Sequence, residues 1–362
     1  MPDFRLHGCF KRAKHNLMQD DAAYELFAAR PALSAAPPPV YLAVTSTGIF
    51  CRPGCPARMP MRENCEFYDS PEGALSAGYR ACKRCHPTRL PGEASDTVKS
   101  LIALVETDPE HKWGEQDLKT RGIDPSTARR QFLARFGMSF SAYARARRLG
   151  SAAHARTKGE SVMTAQLTAG YDSPSGFREA FTRTFGTAPK NALAAPLIID
   201  WLDTPLGPMV CVGDETHVYL LEFTDRVKMD RQFERIAKRQ KRAIVPGKAD
   251  AIDMMREQLK AYFEGRLKDF TVPIITSGTE FQNATWDQLC EIPYGQTRSY
   301  LELAHMVGTP KGFRAVANSN ANNGLAIIIP CHRVIASGGG LGGYAGNLTR
   351  KKWLLEHEAK HV

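Results

Sequence analysis

Gly324-Leu325-Ala326-Ile327-Ile328-Ile329-Pro330-Cys331-His332-Arg333-Val334-Ile335 is the most informative run in this chain. Five consecutive apolar residues, Leu325 to Ile329, read as buried, and Pro330 ends the run and leaves Cys331 at the edge of a core. A thiol is a weak nucleophile until it loses its proton, and a nearby imidazole such as His332 is the common means of activation. A buried, inert cysteine is the competing reading. Ser337 to Gly343 follow as a glycine-rich loop, then Tyr344, as expected for a flexible cover over a pocket.

Upstream of this run, Pro196–Trp201, Met209–Val212 and Val218–Phe223 read as strands, and about Asp230–Phe263 as a charged helical stretch. The chain has 362 residues, too many for one ordinary core, so two to four domains are expected. Nothing approaches the ~18 apolar residues of a membrane span, and Met1–Lys14 carries scattered charge rather than an export signal. The expected location is cytosolic, with no membrane partner. A formal charge of +10 favours a polyanionic partner without identifying it.

Nine cysteines without a signal peptide argue against a disulfide scaffold. Four of them fall as Cys51-x3-Cys55, then 26 residues, then Cys82-x2-Cys85. Two close pairs on tight turns are what a tetrahedral four-cysteine Zn²⁺ site requires. Arg52-Pro53-Gly54 and Cys85-His86-Pro87 supply the turn chemistry. From spacing alone, a purely structural zinc remains the favoured reading, and His86 is a weaker alternative ligand. Residues 96–195 read as helical and basic. Between Pro125 and Lys158 there is no Asp or Glu, while Arg129, Arg130, Arg135, Arg145, Arg147, Arg148, Arg156 and Lys158 lie within it. Two helix-turn-helix patterns can be traced. One is Glu115–Arg121, a turn at Gly122–Asp124, and a helix from Pro125 to Phe136. The other is Val162–Ala169, a turn at Gly170–Ser173, and a helix from Pro174 to Phe185. The early residues of the second helices, Ser126, Thr127, Arg129 and Arg130, then Ser175, Gly176, Arg178 and Glu179, are candidate base readers. A basic bundle with merely solvated arginines is the competing reading.

Three signatures together resemble the Ada family of methyltransferases and transcriptional activators, over about residues 20–362. Phe50-Cys51-Arg52-Pro53-Gly54-Cys55, Arg62-Glu63-Asn64 and Cys82-Lys83-Arg84-Cys85 resemble its zinc domain. Gly170-Tyr171-Asp172-Ser173 through Phe185-Gly186-Thr187-Ala188-Pro189 is similar to AraC-type DNA-binding domains, and Pro330-Cys331-His332-Arg333-Val334 to methylguanine-DNA methyltransferases. The resemblance implies a multidomain α+β protein. Residues 1–19 are an extension and 20–92 a small zinc-bound α/β domain. Residues 96–195 form an all-α double helix-turn-helix domain, 197–275 a small β-rich subdomain, and 276–362 a helical, winged-helix-like active-site subdomain.

It further implies irreversible, single-turnover methyl transfer from O6-methylguanine, and O4-methylthymine, to Cys331, with the base flipped out of the duplex. His332 takes the thiol proton through a water, Glu358 orients the imidazole, and Asn323 ties the preceding turn to the cysteine loop. Arg314 fills the vacated stack, Tyr300 helps rotate the nucleotide, and Tyr344 and the Val334 backbone contact the guanine. Cys51, bound with Cys55, Cys82 and Cys85 to one Zn²⁺, takes a methyl from phosphotriesters and so switches on promoter binding. Arg52, Arg58, Arg62, Lys83 and Arg84 are placed to contact phosphates, and Arg129, Arg130 and Arg178 the promoter. Double-stranded DNA and RNA polymerase are the implied partners of a monomeric, nucleoid-associated bacterial protein. A regulator with structural zinc that only senses lesions is the rival. The first helix-turn-helix is only loosely like the family pattern, Ala345 departs from the polar or larger residue common there, and Cys9, Cys65, Cys211 and Cys290 match no functional position.

Overall fold

The computed structural model describes residues 17–29, 40–90, 92–192, 194–227 and 229–362. Most of the expected extension, with Cys9, and the prolines at 37–39 lie outside the described residues. The chain divides into two compact units, Met1–Pro91 and Gly92–Val362. Among the described residues no helix is long and apolar enough to cross a membrane.

In the first unit, α1 (Leu17–Ala28) precedes β1 (Tyr41–Val44), β2 (Ile49–Cys51), β3 (Cys65–Tyr68), α2 (Pro71–Ser76) and β4 (Arg80–Ala81). The strands form one sheet in the order β3-β1-β2-β4. Its core is small: the larger of two buried clusters has seven members, four of them cysteines packed with Phe27, Leu42 and Phe67, and Tyr41, Ala43, Phe50 and Ala74 form the other.

The second unit begins with helices α3 (Asp96–Thr107), α4 (Glu115–Thr120), α5 (Pro125–Phe136), α6 (Phe140–Thr157), α7 (Val162–Thr168) and α8 (Pro174–Phe185). Both helix-turn-helix patterns form, and their second helices start and stop by the same devices. Asp124 accepts from Thr127 N (2.7 Å) and Ser173 from Gly176 N (3.2 Å), each followed by proline at the first helical position. Gly137 (φ 68°) and Gly186 (φ 69°) end the helices in the left-handed region that glycine enters without strain. Helix α6 joins the two patterns, and its Arg148 is buried. The guanidinium donates to His111 O (2.9 Å) and Ala169 O (3.3 Å), tying the two halves together.

Next come β5 (Leu197–Leu202), β6 (Met209–Gly213), β7 (Val218–Phe223), α9 (Met229–Gln240), β8 (Ile244–Pro246) and α10 (Asp250–Phe263). The sheet order is β7-β6-β5-β8, antiparallel except for β8, which runs parallel to β5. The charged stretch expected to be helical from Asp230 to Phe263 is therefore two helices with a three-residue strand between them. The last layer holds α11 (Glu280–Cys290), β9 (Arg298–Ser299), α12 (Tyr300–Met306), α13 (Phe313–Ala321), a 3-10 turn at Cys331–Arg333, β10 (Val334–Ile335) and α14 (Leu348–Lys360). β9 and β10 pair in parallel. The run Leu325–Ile329 lies against the sheet rather than in it: Leu221 N donates to Gly324 O (2.9 Å) and Ala326 N to Leu221 O (2.8 Å).

Candidate functional site

Cys331 opens a 3-10 turn, and the residues before it are held in an irregular loop by one side chain. Asn323, almost fully buried, accepts from Leu325 N at Oδ1 (2.9 Å) and donates from Nδ2 to Ile329 O (2.9 Å) and to Cys331 Sγ (3.2 Å). Inside that bracket Ile327 has φ 73°, a conformation a β-branched residue adopts at a cost of about 1–3 kcal/mol and only where its surroundings enforce it. The sulfur faces a cavity of about 440 Å³ lined by Tyr300, Ala317, Asn320, Ala321, Gly343, Tyr344 and Ala345. Burial pushes the thiol up to about 11, with the Asn323 hydrogen bond opposing.

His332 is not part of that lining; its ring joins a buried ionic cluster beside it. Its Nε2 donates to Glu358 Oε1 (2.8 Å), and burial lowers its pKa, although the carboxylate works against this. A carboxylate only accepts, so the neutral ring carries its proton on Nε2 and leaves Nδ1 as a base. Nδ1 is buried and has no hydrogen-bond partner among the described residues. Glu358 also accepts from Tyr262 OH (2.8 Å), Gly295 N (3.1 Å), and Arg333 through Nε (2.9 Å) and Nη2 (3.0 Å). Burial would raise this carboxyl, but the contacts with His332 and Arg333 outweigh it and hold it well below the carboxylate range. Arg333 in turn donates to Ile292 O (2.6 Å).

The other expected contacts divide. Tyr300 lines the cavity and its hydroxyl donates to Gly343 O (3.2 Å), while the Tyr344 hydroxyl is buried without a partner among the described residues. The Val334 carbonyl already accepts from Lys351 Nζ (2.5 Å), a buried lysine pulled to about 8 by desolvation. Arg314 is exposed on α13, near the Phe313 ring. Tyr262, Arg333 and Lys351 were not singled out from sequence as site residues. Arg333 lay within the quoted motif, whereas Tyr262 meets Glu358 across 96 residues and leaves no local pattern.

In the first unit the sulfurs of Cys51, Cys55, Cys82 and Cys85 all lie within 4.8 Å of one another. Cys55 and Cys82 are 3.9 Å apart; a tetrahedron with metal–sulfur bonds of ~2.3 Å has edges of about 3.8 Å. The hydrogen bond between Cys51 and Cys85 keeps Cys51 protonated while favouring the Cys85 thiolate, so four thiolates coexist here only around a cation. His86 is exposed and stands outside the cluster; Cys65 donates instead to Met61 O (3.2 Å). Cys51, Cys55 and Cys82 open onto a cavity of about 720 Å³ with Arg58, Lys83 and Arg84 at its wall. Arg52 is half-buried. Arg62 is paired with Asp21 (3.0 Å) and Asp20 (3.9 Å), so its charge is already met within the unit.

In the helical layer Arg129, Arg130 and Arg178 are exposed, as are Ser126, Ser175 and Glu179. The acid-free run is less available than its composition suggests. Arg135 pairs with Asp203 (2.6 Å), Arg147 with Glu106 (3.1 Å), and Arg148 and Arg156 hydrogen-bond to backbone carbonyls.

A buried cysteine beside a carboxylate-held imidazole, two helix-turn-helix units and a four-sulfur cluster define an alkyl-accepting, DNA-directed protein with a metal domain. Family models agree in chain order. The metal binding domain of Ada matches residues 34–88 and a helix-turn-helix domain 119–195. For 6-O-methylguanine DNA methyltransferase, the ribonuclease-like domain matches 197–276 and the DNA binding domain 280–360. The bifunctional transcriptional activator/DNA repair enzyme Ada of Escherichia coli is 34% identical over 329 residues, covering 88% of this chain and 91% of the relative. The regulatory protein ada of Salmonella typhimurium is 30% identical over 367 residues, covering 96% and 99%. A methylated-DNA–protein-cysteine methyltransferase of Methanosarcina barkeri is 41% identical over 169 residues, covering 45% of this chain and 98% of the relative. The chain belongs to the Ada family, and its four clustered cysteines form one zinc site.

Proposed function

We propose that this protein repairs alkylated DNA by direct, self-consuming transfer and reports the damage as a transcription factor. The observation that carries the reading is the buried Cys331 thiol, held by Asn323 at 3.2 Å in a lined cavity, next to a neutral His332 whose protonated nitrogen is fixed by Glu358. O6-methylguanine, or O4-methylthymine, flips into that cavity. Tyr300 and Tyr344 contact the base and nucleotide, the Val334 backbone meets its edge, and the exposed Arg314 occupies the vacated stack. His332 takes the Cys331 proton through a bridging water, and Glu358 steadies the imidazolium. The sulfur then attacks the methyl carbon. A carbon–sulfur bond forms, the carbon–oxygen bond breaks, and its electron pair leaves with the base. A thioether is not reversed by anything in the site, so each molecule acts once.

In the first unit the Cys51 sulfur takes a methyl from a phosphotriester: a carbon–sulfur bond forms, the methyl carbon–oxygen bond breaks, and its electron pair leaves on the phosphodiester anion. A zinc-bound thiolate stays ionised at neutral pH, which provides a nucleophile without a base. Four thiolates around Zn²⁺ leave a formal double negative charge that repels DNA, and methylating Cys51 removes half of it. Unit charges ~7 Å apart interact by roughly 2 kcal/mol at an effective dielectric of about 20, so one charge acting on several phosphates raises affinity many-fold. Arg58, Lys83 and Arg84 at the cavity wall, with Arg52 and Arg62, are the candidate phosphate contacts. Arg129, Arg130 and Arg178 read the promoter, and RNA polymerase is the partner of a monomeric cytoplasmic, nucleoid-associated protein. The domains are 20–92, 96–195, 197–275 and 276–362.

The test is intact mass measurement with peptide mapping after zinc-loaded protein meets a duplex containing one O6-methylguanine. A single methyl on Cys331, saturating at one per protein, is the expected result, and a methylphosphotriester duplex is expected to label Cys51. Lesion DNA bound with no adduct would leave a lesion-sensing regulator instead.

A further inference from the structure

The carboxamide of Asn323 can hold Cys331 only if its own backbone is held, and that backbone lies at the end of α13. The last carbonyls of a helix have no partner within it. Here they are taken by side chains from other elements. Trp286 Nε1 on α11 donates to Ser319 O (3.0 Å). Arg226, in the loop after β7, donates from Nη2 to Ala321 O (2.6 Å) and from Nη1 to Asn323 O (2.7 Å). Arg235 on α9 reaches Asn322 O (3.3 Å). The Arg226 guanidinium is almost fully buried, and its charge is met by an equally buried Glu222 on β7, four residues before it. Glu222 is itself fixed, because Phe223 N donates to its carboxylate (3.0 Å). Strand β7 also holds the next residues through the Leu221 hydrogen bonds to Gly324 and Ala326.

A buried ion pair is weak evidence for stability, since apolar residues of similar volume often do as well. Its geometry here fits another use. The rigid fork of arginine spans two carbonyls at once, and the second of them belongs to the residue that touches the nucleophile. We infer that Arg226, neutralised by Glu222, is a positioning residue for transfer to Cys331: from the β-rich layer it fixes the Ala321–Asn323 turn and so aims the Asn323 carboxamide at the sulfur. This rests on the proposed transfer to Cys331. Arg226 does not touch the thiol, and it meets the cavity lining only at the Ala321 carbonyl; it acts on the sulfur through Asn323. Through space Glu222 opposes the Cys331 thiolate and Arg226 favours it more weakly, so the pair assists ionisation only by holding the Asn323 hydrogen bond in place.

The test uses the full-length, zinc-loaded protein and a duplex carrying one O6-methylguanine, and follows single-turnover transfer against DNA concentration and pH. Glu222→Gln with Arg226→Met removes the carbonyl grip without leaving a buried charge, and Arg226→Lys keeps the charge but not the fork. For the double variant the expected result is a saturating rate about 10²-fold lower, the usual cost of a misplacement near 1 Å, with half-saturating DNA and the thermal midpoint little changed. The pH limb reporting Cys331 ionisation is expected to move upward in the same variant. Arg226→Lys is expected to recover part of the rate. Transfer at the wild-type rate and pH profile in the double variant overturns the inference. If the double variant does not fold, an undiminished rate in Arg226→Lys overturns it alone. Failure of the wild-type protein to methylate Cys331 would instead remove the reading on which the inference rests.

Discussion

Glu358 shows at the scale of one residue how the site is charged. It is a fully buried carboxylate that accepts from Tyr262, Gly295, His332 and Arg333, and those contacts keep it ionised where burial alone would neutralise it. Glu358→Gln keeps the shape but removes the charge that steadies His332 and Arg333. Methyl transfer to Cys331 is expected to slow by about a hundredfold, within the range of a general base that loses its support. Leaving Arg333 buried and unpaired is expected to cost about 3–5 kcal/mol in urea unfolding; a variant of wild-type stability would show that the pair is not held as described. The same cluster sets a pH dependence. His332 has a folded pKa below its ordinary 6.5 because the buried ring resists protonation. The folded protein therefore binds that proton more weakly than the unfolded chain. This contribution to stability is complete above pH 6.5 and drains as pH falls through the depressed value. Glu358, also depressed, drains in the same direction at lower pH. Urea midpoints are expected to decline from pH 7 to pH 5, and less steeply in His332→Gln; equal slopes would show that His332 does not titrate in this way. Cys331 and His332 were legible because they are contiguous and follow an apolar run. Arg226 and Tyr262 were not, since their contacts join residues about 95 positions apart.

Among the elements, the helix-turn-helix pairs were the most legible, because their ends are written in local chemistry. Asp124-Pro125 and Ser173-Pro174 start helices that Gly137 and Gly186 stop, and the second helices occupy the expected residues. Strand β8 was hidden inside a charged stretch. It is three residues long, lies between two helices, and exists through parallel pairing with β5, a contact made some 47 residues away, Leu197 with Ile244. The basic run was legible in composition but misleading in use, since Arg135, Arg147, Arg148 and Arg156 are engaged inside the fold. These facts separate two substitutions on α8. Ser173→Ala removes a cap and is expected to cost about 1 kcal/mol of stability, read from thermal or urea unfolding. Arg178→Ala, exposed on the same helix, is expected to leave stability unchanged and weaken promoter binding. It should also reduce the dependence of log affinity on log salt by about one if it meets a phosphate, or relax sequence preference if it meets a base. Neither effect in a binding titration would remove Arg178 from the DNA surface.

At the scale of the molecule, zinc and the alkyl-accepting cavity belong to different compact units, and the two depend on different forces. Residues of the second unit bury a long strand layer and several helices, with Leu197, Val212, Leu220 and Ile236 in one cluster and Phe132, Tyr143 and Leu101 in another. The first unit has a four-stranded sheet of short strands, and Cys51, Cys65, Cys82 and Cys85 account for most of its main buried cluster. Small cores bury too small a share of their surface to be secure without a staple. When four sulfurs within 4.8 Å are the centre of such a core, metal binding becomes folding energy. A strong chelator is therefore expected to unfold the first unit alone. Proteolysis should begin cutting within residues 40–90, and the circular dichroism change should be limited to that part of the chain. Methylation of Cys51 by a phosphotriester duplex should stop, while Cys331 continues to take its methyl from O6-methylguanine at the original rate, because Asn323, His332 and Glu358 all lie in the second unit. Readdition of Zn²⁺ should restore both the protection and the Cys51 reaction. A first unit that resists proteolysis after the metal is gone would mean that its apolar side chains, Phe27, Leu42 and Phe67 on one side and Tyr41 and Phe50 on the other, suffice to hold it, and that the zinc is retained for its chemistry at Cys51 alone.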